Sequence, residues 1–479
     1  MTRFTLPLLA VASAILLGGI GAAARPRYGG TLRVETQAVL RTIDPGAAPV
    51  DASDAAVRAR LLPIVFETLV AQDPGGGLRP LLAVSWESDA QATRWRFQLR
   101  PDVTLHDGTR LDPARIATVL RTRGDDTWRV SSTSDAIVIA ADRALPDLPW
   151  ELTDLRYAIA VRRSTGELAG SGPFRIDRLE PGRLEPGRLS LRANDDYWGG
   201  RPFVDAVQIE MGPALPDQLT HLEVGSSDIV ALDARDVRRV AQRGLRIVES
   251  RPIELVALVF DVSRMAPASD TMRRALGLAI DRAAICTVLL QRHGQPAPAL
   301  LPQWLSGYAP LLAGASGRAQ ARSLVSALPP PQRALTLRVD PADALARAIA
   351  DRIAVDARDA GLAVRVDAPD ALAPRPDVRL VRIRLEAKSP ERALAGAIAA
   401  LGPRAAALTA LDAPPQAGAP LADVLRFERS LIEQHAIVPV VHLAEVYALN
   451  ARVGSWNGPI VQPTGAWDLA NVWLGADKP

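Results

Sequence analysis

Five histidines, a single cysteine and several paired acids are the residues of this chain with chemistry in them. Their spacing argues against most of that chemistry. His106, His221, His293, His435 and His442 are scattered along the sequence. His435 and His442 stand seven apart with Pro439 between them, so one regular helix face cannot carry both. A histidine metal site is not expected. Cys286 lies in an apolar helical pattern, cannot close an internal disulfide, and reads as a small buried hydrophobe. Asp125-Asp126, Asp195-Asp196 and Ser226-Ser227-Asp228 read as solvated turns, and none is singled out as the carboxylate pair of a hydrolase. There is no Gly-x-Ser-x-Gly elbow, no His-Glu-x-x-His, no phosphate loop and no dinucleotide glycine pattern. No catalytic residue, no metal and no cofactor is expected.

Binding chemistry is easier to find. Arg379, Arg382 and Arg384 stand close together in Val378 to Pro390. On a strand, Arg382, Arg384 and Glu386 share one face, with Val381 and Ile383 on the other. Turned into a cleft, the arginines suit an anionic ligand, because arginine holds carboxylate in a bidentate fork. Turned to solvent, they are a polar strand face, with Glu386 available to pair with Arg384. Both readings stand at this point.

The elements around these residues are alternately strands and capped helices. Thr31 to Glu35 alternates as a first strand. Ser53 or Asp54 opens a helix that Pro63 must kink or split. Leu81 to Trp86 and Trp95 to Leu99 read as strands. Asp112-Pro113 starts a helix as N-cap and first residue. Arg178 to Leu189 holds a tandem Arg-Leu-Glu-Pro-Gly repeat between two strands, which reads as a lengthened hairpin tip. Asp270 and Asp281 cap helical segments. Leu335, Leu337 and Val339 alternate, Asp340-Pro341 opens a helix ended by Gly361, and Leu362, Val364 and Val366 alternate again. That is a βαβ unit with parallel strands. Val438 to Leu449 is a mostly apolar strand.

The chain has 479 residues and a net charge of +3, and 54 of its 56 basic residues are arginine. No basic run accompanies this balance, so nucleic-acid binding is not expected. Arg3, the apolar run Leu6 to Ile20 and the small residues Gly21 to Ala24 form a signal peptide, cut after about Ala24. No cysteine follows it, so no lipid anchor is expected. The remaining length calls for at least two domains.

Gly170-Ser171-Gly172-Pro173-Phe174 followed by Asn194-Asp195-Asp196-Tyr197-Trp198-Gly199-Gly200-Arg201-Pro202 resembles a paired motif of the family 5 extracytoplasmic solute-binding proteins. These serve ABC importers of oligopeptides, dipeptides and nickel chelates. Other segments match that family in order. They are Gly29 to Arg33 with Ile43-Asp44-Pro45, Phe66 to Val70, Leu78 to Glu87, Trp95 to Arg100, Val103 to Thr109, Phe260-Asp261, Asp270 to Leu276, Ala279 to Arg282, Leu301-Pro302 and Gly307-Tyr308. Two departures stand out. Peptide-binding members carry a loop with a tryptophan and an aspartate, the aspartate pairing with the peptide's amino terminus, and both residues are missing from Val378 to Pro390. The span Thr118 to Gly170 is also short.

The resemblance implies an α/β fold, a two-lobed clamshell with two interlobe crossings and mixed sheets flanked by helices. Residues 25–255 plus 445–479 would form lobe I, with an accessory subdomain at about 45–168, and 256–444 lobe II. It implies a monomeric periplasmic receptor that closes on a small molecule or short peptide and meets ABC permease subunits at the membrane. A sensor of the same fold or a secreted hydrolase are the alternatives. The cleft candidates are Gln37, Arg41, Trp304, Arg384, Glu386 and His442.

Overall fold

The computed structural model describes residues 25–50, 52–73, 77–180, 187–261, 269–307, 317–341, 343–367, 376–385, 389–400, 415, 419–455, 459–462 and 465–475. The signal segment, the tip of the repeat-bearing hairpin and Glu386 lie outside them.

The local rules of the sequence operate where they are expected. Helix α1 (Ala52–Leu61) gives way to a single 3-10 turn, Leu62–Ile64, at Pro63. Helix α2 (Pro113–Arg123) starts on Asp112, whose Oδ1 accepts the Ala114 amide at 2.9 Å. A short helix α3 (Leu148–Glu151) follows. In the second half come α4 (Ala344–Asp359), α5 (Pro390–Ala400) and α6 (Leu421–Glu433). Helix α4 begins later than Asp340-Pro341 predicts. Asp340 and Pro341 are spent in a turn, where the Asp340 carbonyl accepts the Asp343 amide at 3.1 Å. Asp343 is the cap, and its Oδ1 accepts the Ala346 amide at 2.8 Å. Gly361, at φ +94°, ends the unit in the left-handed conformation that suits glycine.

One large sheet organises the molecule. Its strands are β1 (Thr31–Thr36), β2 (Phe174–Glu180), β3 (Gly187–Ala193), β4 (Ala206–Met211), β5 (Ile229–Leu232), β6 (Arg246–Phe260), β7 (Gly294–Pro296), β8 (Ala334–Arg338), β9 (Ala363–Asp367), β10 (Val378–Arg384) and β11 (Ile437–Leu449). They run in the order β2-β3-β4-β1-β5-β11-β6-β10-β8-β9, and β7 also pairs with β11. Strands β8 and β9 are parallel across α4, which is the βαβ unit read from the sequence. Parallel and antiparallel pairs coexist, so the sheet is mixed.

Strands β6 and β11 join two halves. Arg246 to Glu249 pair with Leu449 to Val446 on the side where β5 lies. Glu254 to Val259 pair with Leu443 to Ile437 on the side of β10 and β7. Between them the register shifts on both sides of Pro252, which has no N–H to give to a ladder. The two halves have separate cores. One packs Leu32, Phe66, Ile209, Tyr447 and Trp467, and the other packs Val256, Leu276, Leu337, Ile349 and Val440. A four-stranded antiparallel sheet, built from Ala83–Ser88, Arg94–Leu99, Ala136–Ala140 and Arg129–Ser132, has its own core around Phe97, Ile137 and Tyr157.

Candidate functional site

The motif segments converge on one buried carboxylate. Glu67 accepts the Ser171 hydroxyl at 2.8 Å, the Tyr197 hydroxyl at 2.9 Å and the Trp198 indole N–H at 2.9 Å. Burial pushes its carboxyl up from the ordinary range, against the pull of the Trp198, Ser171 and Tyr197 donors. His106 completes the knot. Its Nε2–H donates to the Gly172 carbonyl at 3.0 Å, and its Nδ1 accepts the Gly170 amide at 3.3 Å. Burial holds that imidazole neutral, with its pKa down at about 4. A Cβ on Gly170 would sit 2.1 Å from the Val65 carbonyl oxygen, so the chain passes there only as glycine. Four segments distant in sequence are thus tied into one rigid wall. Arg100 stacks on its far side, 3.9 Å from the Trp198 ring centre.

A charge cluster lies where β6 and β11 cross between the halves. Arg60, on α1, forks Glu445 at 3.2 and 2.8 Å. Arg384, at the end of β10, pairs with the same carboxylate. The Tyr447 hydroxyl donates to it at 2.8 Å, and the Glu445 amide donates to Ser250 Oγ at 3.0 Å. Burial alone would raise the Glu445 carboxyl, but Arg60 and Arg384 outweigh it and hold it down at about 2. Beside this group, Arg382 forks Glu254 at 3.0 and 2.7 Å and reaches Asp343 at 3.0 Å. Three guanidinium groups therefore meet three carboxylates, and the strand arginines are neither a bare cationic wall nor an unpaired surface face. Gly465, at φ +81°, lies against the cluster. A Cβ there would come within 2.7 Å of Arg384 Nη2.

Between the motif wall and the charge cluster is a cavity of about 1260 Å³. The first half contributes Glu67, Tyr197 and Trp198 to its lining, and the C-terminal segment contributes Gln462 and Trp467. Arg384 and Leu385 enter from the second half. Of the candidates named from sequence, Arg384 lines this cavity. Gln37 and Arg41 are exposed beyond the end of β1, and the Arg41 amide rests on Asp54 Oδ1 at 3.4 Å. Trp304 packs at the crossing, where its indole N–H donates to the Pro252 carbonyl at 2.8 Å under the Arg251 guanidinium. His442 is buried in the second half, and its Nε2–H goes to the Leu300 carbonyl at 3.0 Å. Burial takes its pKa down to about 4. Arg60, Glu445 and Trp467 were not singled out by sequence. Glu445 had a visible signal, as a carboxylate in an otherwise apolar run. Among the described residues, no group of three or more His, Cys, Asp or Glu is placed to hold a metal ion.

The model of the bacterial extracellular solute-binding proteins, family 5, middle region, matches residues 77–391. The oligopeptide-binding protein AppA of Bacillus subtilis is 28% identical over 129 residues, covering 27% of this chain and 23% of AppA. The HTH-type transcriptional regulator SgrR of Yersinia enterocolitica is 26% identical over 248 residues, covering 48% of this chain and 42% of the regulator. The matched stretches thus span less than half of these relatives. The crystal structure of the ABC transporter substrate-binding protein CtaP from Listeria monocytogenes shares the fold. Its TM-score is 0.77 at 17% identity, over 94% of this chain and 100% of that one.

Proposed function

The chain belongs to the bacterial extracellular solute-binding proteins of family 5, and from that membership we propose that it is a receptor delivering a peptide-like or other small solute to an ABC importer. The cavity between the two halves carries this reading. At about 1260 Å³ it exceeds the usual range for a drug-sized ligand. It is walled on one side by the fixed knot, Arg384 and Leu385 reach it from the second half, and the broken ladder of β6 and β11 links the halves. Such a hinge supports closure, with the ligand shifting an open–closed equilibrium. Binding by closure involves no covalent step. We place the lobe boundaries at Leu255 and Glu445, close to the ladder break. We further propose that residues 1–24 direct export and are removed, leaving a monomer in the periplasm that meets the permease subunits. No helix of the described residues is long and apolar enough to cross a membrane.

Arg384 and Trp467 are the contacts we assign to the ligand, one polar and one aromatic. Native mass spectrometry of the protein from its own periplasm identifies the co-purifying solute. Thermal-shift screening with dipeptides and with organic anions gives its class. Arg384→Ala and Trp467→Ala are each expected to weaken binding by more than about 1 kcal/mol. Unchanged affinity in both variants places the ligand elsewhere. The match to a transcriptional regulator favours a second reading, a sensor of the same fold. Uptake of the identified solute by cells lacking the gene separates the two, because only a transport receptor is needed for import.

A further inference from the structure

Away from the crossing strands, the described residues include an ion-pair contact between the two halves made by an arginine, besides the hydrogen bonds of Gln291 to the Arg235 carbonyl and the Arg238 amide. Arg392 stands third in α5, which packs in lobe II, with Leu394 and Ile398 in that core. Its Nη2 lies 3.5 Å from Glu151 Oε2, and its Nε lies 3.7 Å from Asp147 Oδ2. Both acids belong to the α3 region, which packs in the core of the small antiparallel sheet through Leu148 and Leu152. The sequence separation is 241 residues. Thr153 to Arg156, just beyond Glu151, line the cavity.

Each partner sits against its local preference. A cation in the first turn of a helix opposes the helix dipole, which favours anions there. Arg392 occupies such a position in α5. Aspartate at an N-cap ordinarily accepts an amide of the first turn. Asp147 occupies the cap of α3 and makes no such bond. Glu151 is divided between the halves. Its Oε1 accepts the Tyr157 hydroxyl at 2.9 Å and faces Arg156 Nη2 at 3.4 Å, while its Oε2 faces Arg392. All three charged side chains are mostly buried, with exposures of 22% for Arg392, 13% for Asp147 and 18% for Glu151. Separating the lobes would rehydrate them and remove their attraction.

We propose that Arg392, Asp147 and Glu151 form an electrostatic latch across the cavity rim that holds the lobes together before ligand binds. The inference rests on the two-lobed fold and not on the transport reading. Its consequence is a larger closed fraction in the free protein. A receptor whose competent state is already populated binds more tightly by that fraction.

The test is the distance between spin labels at Ala144→Cys and Ala399→Cys in dialysed, ligand-free protein. Both positions are exposed, and the native Cys286 is buried. At about 0.01 M salt a short, narrow distance is expected, and at about 1 M salt, where the screening length falls to about 3 Å, a longer and broader one. Arg392→Gln is expected to give the long distribution at both salts, as is Asp147→Asn with Glu151→Gln. These neutral variants keep side-chain volume, and a cooperative thermal melt shows that each is folded. The three changes together should add nothing beyond either set, because one interaction is lost only once. A distance indifferent to salt and to the neutral variants overturns the latch. So does additive lengthening in the combined variant.

Discussion

Glu428 makes stability depend on pH in an unusual direction. It sits on α6 with no exposed surface, and it accepts the Leu301 amide at 2.8 Å. Burial pushes its carboxyl up to about 7 from an ordinary 4.5, against the pull of the Leu301 and Leu300 amides. The folded state therefore binds this proton more tightly than the unfolded chain. The associated stability is fully present below about 4.5 and is lost as pH rises through about 7. With those two values, the loss between about pH 5.5 and about pH 8.5 is about 2 kcal/mol. Glu428→Gln stays neutral at every pH and keeps an acceptor for the Leu301 amide. His442 holds the same segment through the Leu300 carbonyl and works the other way. Its pKa, lowered to about 4 by burial, means stability is lost as pH falls below its ordinary 6.5. Both proteins carry His442, so it cancels in their difference. Urea unfolding of the wild type and of Glu428→Gln, followed by tryptophan fluorescence at the two pH values, gives that difference. The wild type should lose about 2 kcal/mol relative to the variant on going from acid to alkali. Curves that stay parallel within about 0.5 kcal/mol would refute the argument, since a carboxyl already ionised at about pH 5.5 has nothing left to titrate.

Other consequences are smaller experiments. Glu445→Gln leaves Arg60 and Arg384 without their shared counter-charge and should destabilise by about 3 kcal/mol or more in chemical denaturation. Glu445 is held at about 2, so its contribution in the wild type is present above its ordinary 4.5 and lost as pH falls towards 2, and the variant should lack that acid-side loss. Tyr197→Phe removes one of the donors to Glu67 and should cost about 1 kcal/mol, whereas Gly170→Ala drives a methyl into the Val65 carbonyl and should abolish soluble expression. Burial pushes the Cys286 thiol up to about 12, so a thiol reagent at neutral pH should label it only after denaturant is added.

Sequence by itself determined the elements and the family. Alternation marked β1, β8 and β9, and Asp112 and Asp281 announced their caps. Pro63 and Gly361 marked where helices end, because these effects act within a few residues. The motif order carried the family because Glu67, His106, Gly170 and Trp198 must all be present for one knot, although nothing in their spacing says that they meet. Tertiary structure decided which side chains face the cavity. Arg384 could be read as cleft or surface from its strand parity, and only Glu445, some sixty residues away on the crossing strand β11, two strands across the sheet, settled its partner. His442 and Trp304 had the right chemistry for a ligand but were taken by the carbonyls of Leu300 and Pro252. Arg60 drew no notice on a helix rich in arginine and alanine. The physical reason is that capping and periodicity are local, whereas a buried charge is compensated by whichever group the packed lobes bring within a few ångströms of it.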